Sequence, residues 1–442
     1  MNVDNKNLKI LLFIIVCVEG FISLGIELIA IRQIVPFAGS NILNTSIIIG
    51  FFLLSLSLGY YRGGLVNKNY LEKLSLNLTI TFIIFSIGIS YFFILFLFYL
   101  VPNILLGVLA FSVLVIIPSI YFLGQTIPLA TNFFKDNISR VSGTLLFLST
   151  IGSFLGAICT SAILMNYIGV NNTIVFFSFL IFLLLAIINI YLKRIGYLFI
   201  FAFFFLFFVT INQYPFLSNN MHSNIEIFEE NNTTRILSIN NSIASSFDID
   251  TINTTFTYIL KIQDIIKNHL KIKESNILVI GAGGFTVSLN DTLNNYTYVD
   301  IDKKLKEISE RYFLKKNING SFIPMEIRYF FNKYPNLKYK VIVLDAFTNR
   351  FSVPSALLTN EFYKQVSDRL IDDGYVFINV VGDPTFGNSF SLKSYNTILN
   401  NFNCMTIPIG FKTNSNILYI CRKKQSQEIY SDNRINLFDF IR

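Results

Sequence analysis

Three acids in the second half of this chain stand at the ends of short apolar runs, where a carboxylate could do chemistry. Asp300 closes Tyr296-Thr-Tyr-Val-Asp300, with Asp302 two residues on; Glu326 stands in Met325-Glu-Ile-Arg328; Asp345 closes Lys340-Val-Ile-Val-Leu-Asp345. A fourth run, Asn276-Ile-Leu-Val-Ile280, ends in glycines at 281, 283 and 284. Apolar runs of this length, bounded by turn residues, read as strands buried on both faces. Gly281, Gly283 and Gly284 let the backbone turn tightly and approach a ligand with no Cβ in the way. In an open α/β sheet the ligand lies beyond the carboxyl ends of the strands, so these groups converge. Strand, glycine turn, short helix, strand and terminal acid make a nucleoside-binding half-sheet, with Asp300 positioned for ribose hydroxyls. Glu326 is then expected near an adenine amine. Asp345 faces the reacting group, where a carboxylate could hold an ammonium or take a proton from an amine nucleophile. Any single acid could instead cap a helix or end a solvated loop, the preferred reading for Asp302.

The elements that must hold these residues follow in order. After Phe216 the composition turns polar and Asn-rich, and Ile225–Glu229 with Thr234–Asn240 alternate as a β-hairpin. Helices are expected around 258–270, 303–313 and 360–370, a turn at Asp373-Gly374, and a buried strand at Tyr375–Val381. An antiparallel pair, Phe402–Ile409 and Asn416–Cys421, closes the chain. The expected fold is a multi-pass α-helical membrane domain, then an α/β doubly wound, Rossmann-like domain of methyltransferase type with a small N-terminal β-hairpin. The expected boundaries are 1–216 for the membrane domain and 217–442 for the nucleoside-binding domain, itself divided into 217–256 and 257–442.

The first half is read from composition. The chain is 53% hydrophobic, with 47 Phe and no Trp, and its mean hydropathy is +0.56. That excludes a single soluble fold and points to a lipid bilayer. About seven membrane helices are expected, near 8–35, 42–62, 75–100, 104–130, 141–166, 172–192 and 196–213. The first carries the ionisable residues Glu19, Glu27 and Arg32. Glu27 is expected to pair with Arg32 or with backbone donors; a proton or substrate pathway is the alternative. Gly59, Gly63, Gly64, Gly143, Gly152 and Gly156 are expected to serve close helix packing. The net charge of +8 comes from scattered loop bases without interleaved aromatics, so no nucleic acid is expected. Four cysteines give no disulfide framework, and two histidines make a zinc site improbable.

With these residues in view the chain resembles the membrane-fused branch of the spermidine synthase (polyamine aminopropyltransferase) family. The resemblance rests on Glu27…Arg32 and Gly59-Tyr60…Gly63-Gly64 in the first half. In the second it rests on Arg235-Ile-Leu-Ser-Ile-Asn240, the glycine loop, Val299-Asp-Ile-Asp302, Asp345-Ala-Phe347 and Pro354…Leu358-Thr-Asn-Glu-Phe-Tyr363. It covers nearly the full length, and the motifs are specific jointly. It implies transfer of an aminopropyl group from decarboxylated S-adenosylmethionine to an amine, releasing methylthioadenosine. Asp300 would hold the ribose, Glu326 the adenine, and Asp345 would activate the amine. Tyr258 and Thr348 fall in the substrate groove, and soluble relatives commonly form homodimers. The departures are Gly284 and Thr348, which replace family acids, and Ala244, which replaces a glutamine. Each lost carboxylate forfeits a charge-assisted hydrogen bond of about 1.5–3 kcal/mol, so a diamine acceptor such as putrescine is disfavoured.

Two alternatives stand beside aminopropyl transfer: an S-adenosylmethionine-dependent methyltransferase, and a transporter or sensor with a non-catalytic synthase-like domain. With seven crossings, Lys6, Lys9, Arg62, Lys68, Lys73, Lys135, Arg140, Lys193 and Arg194 all fall on the N-terminal side and only Arg32 opposite. That bias puts the second half outside the cytoplasm. A cytosolic donor argues for a cytoplasmic domain, the side expected on chemical grounds.

Overall fold

In a computed structural model, residues 6–134, 138–346, 355–410, 412 and 415–424 are described. The chain divides into two compact units, one built from residues up to Ser246 with Glu310–Lys315, the other beginning at Phe247.

The first unit is a helical bundle. Its helices are α1 (Lys6–Ala38), α2 (Ile42–Gly64), α3 (Tyr70–Gly88) and α4 (Tyr91–Leu100), then α5 (Ile104–Thr131), α6 (Ile138–Tyr167), α7 (Val170–Tyr191) and α8 (Gly196–Ile211). Among the described residues six of these, all but α4 and α8, are long and apolar enough to cross a membrane. Two expectations are revised. The run 75–100 divides because Ser90 leaves the helix and caps α4, its Oγ accepting from Phe93 N at 3.3 Å. The seventh helix has 16 residues, about 24 Å long against a hydrocarbon core of about 30 Å.

Small residues bring α1 and α6 together. A Cβ on Gly20 would lie 2.1 Å from the Ser149 carbonyl oxygen, and one on Gly152 2.0 Å from that of Cys17. Gly156 meets α1 in the same way; Gly143 faces open space and takes no part. Gly59 and Gly63 seat α2 on α5, whereas a Cβ on Gly64 would meet nothing among the described residues. Glu19 is buried at the α1–α6 contact, accepting from Ser23 Oγ at 2.9 Å and Ser149 Oγ at 3.4 Å.

The expected Glu27–Arg32 pair is replaced by another arrangement. Arg32, in the last two turns of α1, donates to the Asn220 carbonyl at 2.9 Å and to Asn224 Oδ1 at 2.8 Å. Glu27 is 7% exposed, and among the described residues no ion pair involves it. The reason is geometric: a guanidinium near the helix end finds fixed oxygen acceptors in the hairpin, and its planar fork suits two at once.

The two ends of the bundle differ in chemistry. At one, Arg194 pairs with Glu72 at 2.5 Å and Lys9 stacks over Phe134. At the other, Arg32 and Asn171, whose N–H donates to Asn219 Oδ1 at 2.7 Å, hold strands β1 (Ser218–Asn219) and β2 (Asn224–Glu230). Strand β2 pairs antiparallel with β3 (Thr234–Ile239), Ile225 facing Ile239, as the alternation implied. The hairpin turn runs through Asn231 and Asn232 at φ +53° and +57°, a conformation asparagine tolerates better than most residues. Strand β4 (Ser242–Asp248) follows and carries Ala244.

The second unit is a seven-stranded sheet. After β5 (Asn253–Thr254) and α9 (Thr257–Asp264, continued to His269) come β6 (Asn276–Ile280), β7 (Asn295–Asp300), α10 (Leu305–Ile308), β8 (Ser321–Pro324), α11 (Ile327–Lys333) and β9 (Tyr339–Leu344). Then follow α12 (Asn360–Asp368), β10 (Leu370–Gly382), α13 (Ser389–Asn401), β11 (Phe402–Ile409) and β12 (Ser415–Lys423). The strand order is β11-β12-β10-β9-β6-β7-β8. The strands from β10 to β8 run parallel, and β12 is antiparallel to both its neighbours. This is the doubly wound, methyltransferase-type sheet expected. Its central strands are continuous apolar runs because both faces are covered: Leu278, Ile342 and Ile378 are fully buried.

Three local expectations fail here. Residues 281–294 contain turns where a short helix was expected. Thr, Ser, Asn and Asp side chains crowd that stretch and compete for the backbone; Tyr298 OH and Gln263 hold the turns in place. Asp373 and Gly374 lie inside β10, at a register irregularity between Leu370 and Tyr375. Cys404 and Cys421 face each other across β11 and β12 and form a disulfide, their Cα atoms 4.1 Å apart.

Candidate functional site

The central strand β6 lies between β7 and β9, so its glycine loop opens between Asp300 and Asp345. Gly281 has φ +90°, and a Cβ there would sit 2.3 Å from the Asp345 carbonyl oxygen. The glycine is required by backbone approach, not by a side chain. Gly283 also has a left-handed backbone (φ +48°), and Gly284 is buried. Phe285 takes φ +59°, an unusual state for an aromatic residue. Its ring packs edge-on against Tyr298 at 4.8 Å and Phe322 at 5.4 Å.

Asp300 is tied to this loop. Its Oδ2 accepts from Ala282 N at 2.9 Å and its Oδ1 from Asp302 N at 3.0 Å. Burial pushes its carboxyl up from 3.8 to about 6, against the pull of these backbone donors. Each oxygen has a second lone pair, so the group can still accept from a ligand hydroxyl. Asp302 is buried and accepts from Lys304 N at 2.9 Å, a turn leading into α10. Glu326 is exposed and caps α11, accepting from Tyr329 N at 2.8 Å.

Asp345 is held on both sides. Tyr258, on α9, donates to Oδ2 at 2.8 Å, and Asn379, on β10, donates to Oδ1 at 2.8 Å. Burial raises the carboxyl above its ordinary range, and the two donors oppose that rise. Burial and the adjacent carboxylate push Tyr258 well above the ordinary phenol range, so it stays a donor.

Tyr258 and Asp345 are thus brought together, while Asp300 and the glycines meet on the other side of β6. Thr348, with Phe347 and Pro354 of the neighbouring motif, lies outside the described residues. Glu19, Glu27 and Arg32 belong to the helical unit. Asn379 was missed, although an amide inside Tyr375-Val-Phe-Ile-Asn-Val-Val381 was a visible signal: a polar side chain in a buried strand needs a partner. Gln263 was missed too; it donates to the carbonyls of Thr286 and Val287. Among the described residues no group of three or more His, Cys, Asp or Glu could hold a metal.

Several solved structures are similar to part of this chain. Spermidine synthase from Thermotoga maritima is 16% identical with a TM-score of 0.36, over 46% of this chain and 70% of that one. A probable spermidine synthase from Corynebacterium glutamicum is 18% identical with a TM-score of 0.38, over 48% and 80%. Human methyltransferase-like protein 13 in complex with SAH is 16% identical with a TM-score of 0.31, over 39% and 81%. No family model and no curated protein matches the chain. Spermidine synthase and methyltransferase folds therefore match this chain at low identity and over less than half its length.

Proposed function

We propose that the protein is a membrane-bound transferase of the aminopropyltransferase type. Its donor is a nucleoside sulfonium, decarboxylated S-adenosylmethionine, and its acceptor is an amine. The observation carrying this reading is the pair of strand-end acids flanking one glycine loop, Asp300 hydrogen-bonded to that loop and Asp345 held by Tyr258 and Asn379. Asp300 accepts from the ribose hydroxyls and Glu326 lies toward the adenine. Asp345 takes the proton that the amine gives up as it attacks; a carboxyl raised by burial is a better base than an ordinary one. Gly284 and Thr348 leave the amine side poor in charge, which favours a monoamine over a diamine. Intact S-adenosylmethionine as donor, with methyl transfer, is favoured by Gly284 alone, since no loop acid then selects the decarboxylated form.

Isothermal titration of the detergent-purified protein with S-adenosylmethionine, its decarboxylated form and methylthioadenosine tests both. Preference for the decarboxylated donor supports aminopropyl transfer; preference for the intact donor moves the reading to methyl transfer. Binding of none removes the enzyme.

A sensor or transporter-linked binding domain is favoured by one further observation. Strands β1 and β2 are held at the Arg32 end of the bundle, opposite the end where Arg194 meets Glu72. Lys and Arg cluster at the second end, which the positive-inside rule assigns to the cytoplasm. On that rule the chain leaves the bundle on the outer side, away from a cytosolic donor. The cytoplasmic assignment, in contrast, rests on the chemistry of the donor. Thiol labelling in intact cells separates the two.

A further inference from the structure

Asn379 lies in the middle of β10 among residues that are otherwise apolar. Phe377, Ile378 and Val380 are at most 2% exposed, and Asn379 is 3% exposed. An amide in such a strand costs stability unless it is hydrogen-bonded. Only half of this one is: Nδ2 donates to Asp345 Oδ1 at 2.8 Å, while its own Oδ1 is buried and has no partner among the described residues. Turned over, the amide would set its oxygen against a carboxylate oxygen, two acceptors face to face. The observed orientation satisfies Asp345 at the expense of Asn379.

We propose that Asn379 is a positioning residue for Asp345: with Tyr258 it fixes the plane of the carboxylate and favours the ionised form that can accept a proton. The source of that proton rests on the transferase reading. There, the acceptor's lone pair forms the new bond to carbon as the C–S bond of the sulfonium breaks. The bonding pair leaves on sulfur as a neutral thioether, and the proton lost by the acceptor passes to Asp345. Asn379 touches neither reactant. Among the described residues the titratable group hydrogen-bonded to Asp345 is Tyr258, from α9; β6 presents the backbone of Gly281, and β10 presents Asn379, which does not titrate. Among the described residues no ion pair reaches Asp345.

The test is an NMR titration of the full-length protein in detergent, labelled at the aspartate carboxyl carbons, with Asp345→Asn identifying the resonance. In Asn379→Leu the Asp345 midpoint should rise by about one pH unit or more, a tenfold gain in proton affinity. Asn379→Asp is nearly isosteric and carries the test if the leucine variant does not fold; the two carboxyls should then titrate in well-separated steps. Asn379→Gln should restore part of the parent midpoint. An unchanged Asp345 midpoint in the folded leucine variant, or unshifted independent steps in Asn379→Asp, overturns the role. In turnover, Asn379→Leu should lower kcat and move the acid limb of the pH profile up while leaving the nucleoside KM unchanged. Absence of turnover by the parent protein counts against the transferase reading alone, since the titration still decides what Asn379 does.

Discussion

The Tyr258 hydroxyl donates to Asp345 Oδ2 at 2.8 Å across 87 positions of sequence. The contact joins the first helix of the α/β unit to the end of β9 and aims the carboxylate from the side opposite Asn379. Replacing Asp345 by Asn keeps the shape and removes the proton acceptor. Turnover should fall by about 10²–10⁴-fold while nucleoside affinity, measured by titration calorimetry, stays within about threefold. Equal activity of variant and parent would remove Asp345 from the mechanism.

Asp300 sets a pH dependence. Its carboxyl is raised by burial to about 6 in the folded protein, above its unfolded value. Between about pH 4 and 6 the folded state therefore holds more protons than the unfolded one, and this group's contribution to stability falls as pH rises through that window. Ribose binding runs the other way, because the ionised form is the better acceptor. Nucleoside affinity should increase from pH 5 to 7, and Asp300→Asn should flatten that increase.

Gly281 admits no side chain, since its Cβ would meet the backbone of Asp345 and Ala346. Gly281→Ala should destabilise the protein by about 1–3 kcal/mol from the left-handed backbone and the clash together. Thermal unfolding measures the loss, and a neutral result would mean that β6 and β9 separate at their ends more easily than their hydrogen bonds imply.

Arg32 and Glu27 should behave differently when their charge is removed. Arg32→Met removes the donors to the Asn220 carbonyl and to Asn224 Oδ1 and should cost about 1.5–3 kcal/mol for each charge-assisted hydrogen bond lost. Glu27→Gln removes a buried carboxylate that has no cationic partner among the described residues and should be neutral or stabilising. A large loss from Glu27→Gln, read as detergent-solubilised melting temperature, would point to a cation held by that carboxylate.

Cys404 and Cys421 report both stability and compartment. Their disulfide closes 17 positions of chain, worth about 3 kcal/mol by loop-entropy reasoning, so reductant should lower the unfolding temperature of the α/β unit. Disulfides persist in oxidising compartments and are rare in the cytosol. Mass-spectrometric thiol counting on protein alkylated in intact cells should find the pair bonded if the unit faces outward and free if it faces the cytoplasm.

Periodicity and punctuation in the sequence determine most of the architecture. Continuous apolar runs such as Asn276–Ile280 and Lys340–Leu344 read as strands covered on both faces, and the alternation at Ile225–Glu229 reads as a hairpin strand. Long apolar segments likewise announce helices long and apolar enough to cross a membrane. These are local properties, and burial of each run requires its neighbours to follow.

The partner of each polar group was a tertiary decision. Glu27 and Arg32 are five residues apart, yet the guanidinium found fixed oxygens in a hairpin nearly two hundred residues away. The 281–294 segment formed turns because side chains on α9 and β7 satisfy its backbone, which helix propensity alone cannot foresee. Asn379 could be seen as anomalous in its strand, but its target, Asp345, emerged only when β10 was laid beside β9. Hydrogen bonds are short-ranged and directional, so which donor meets which acceptor is settled only when distant strands and helices pack.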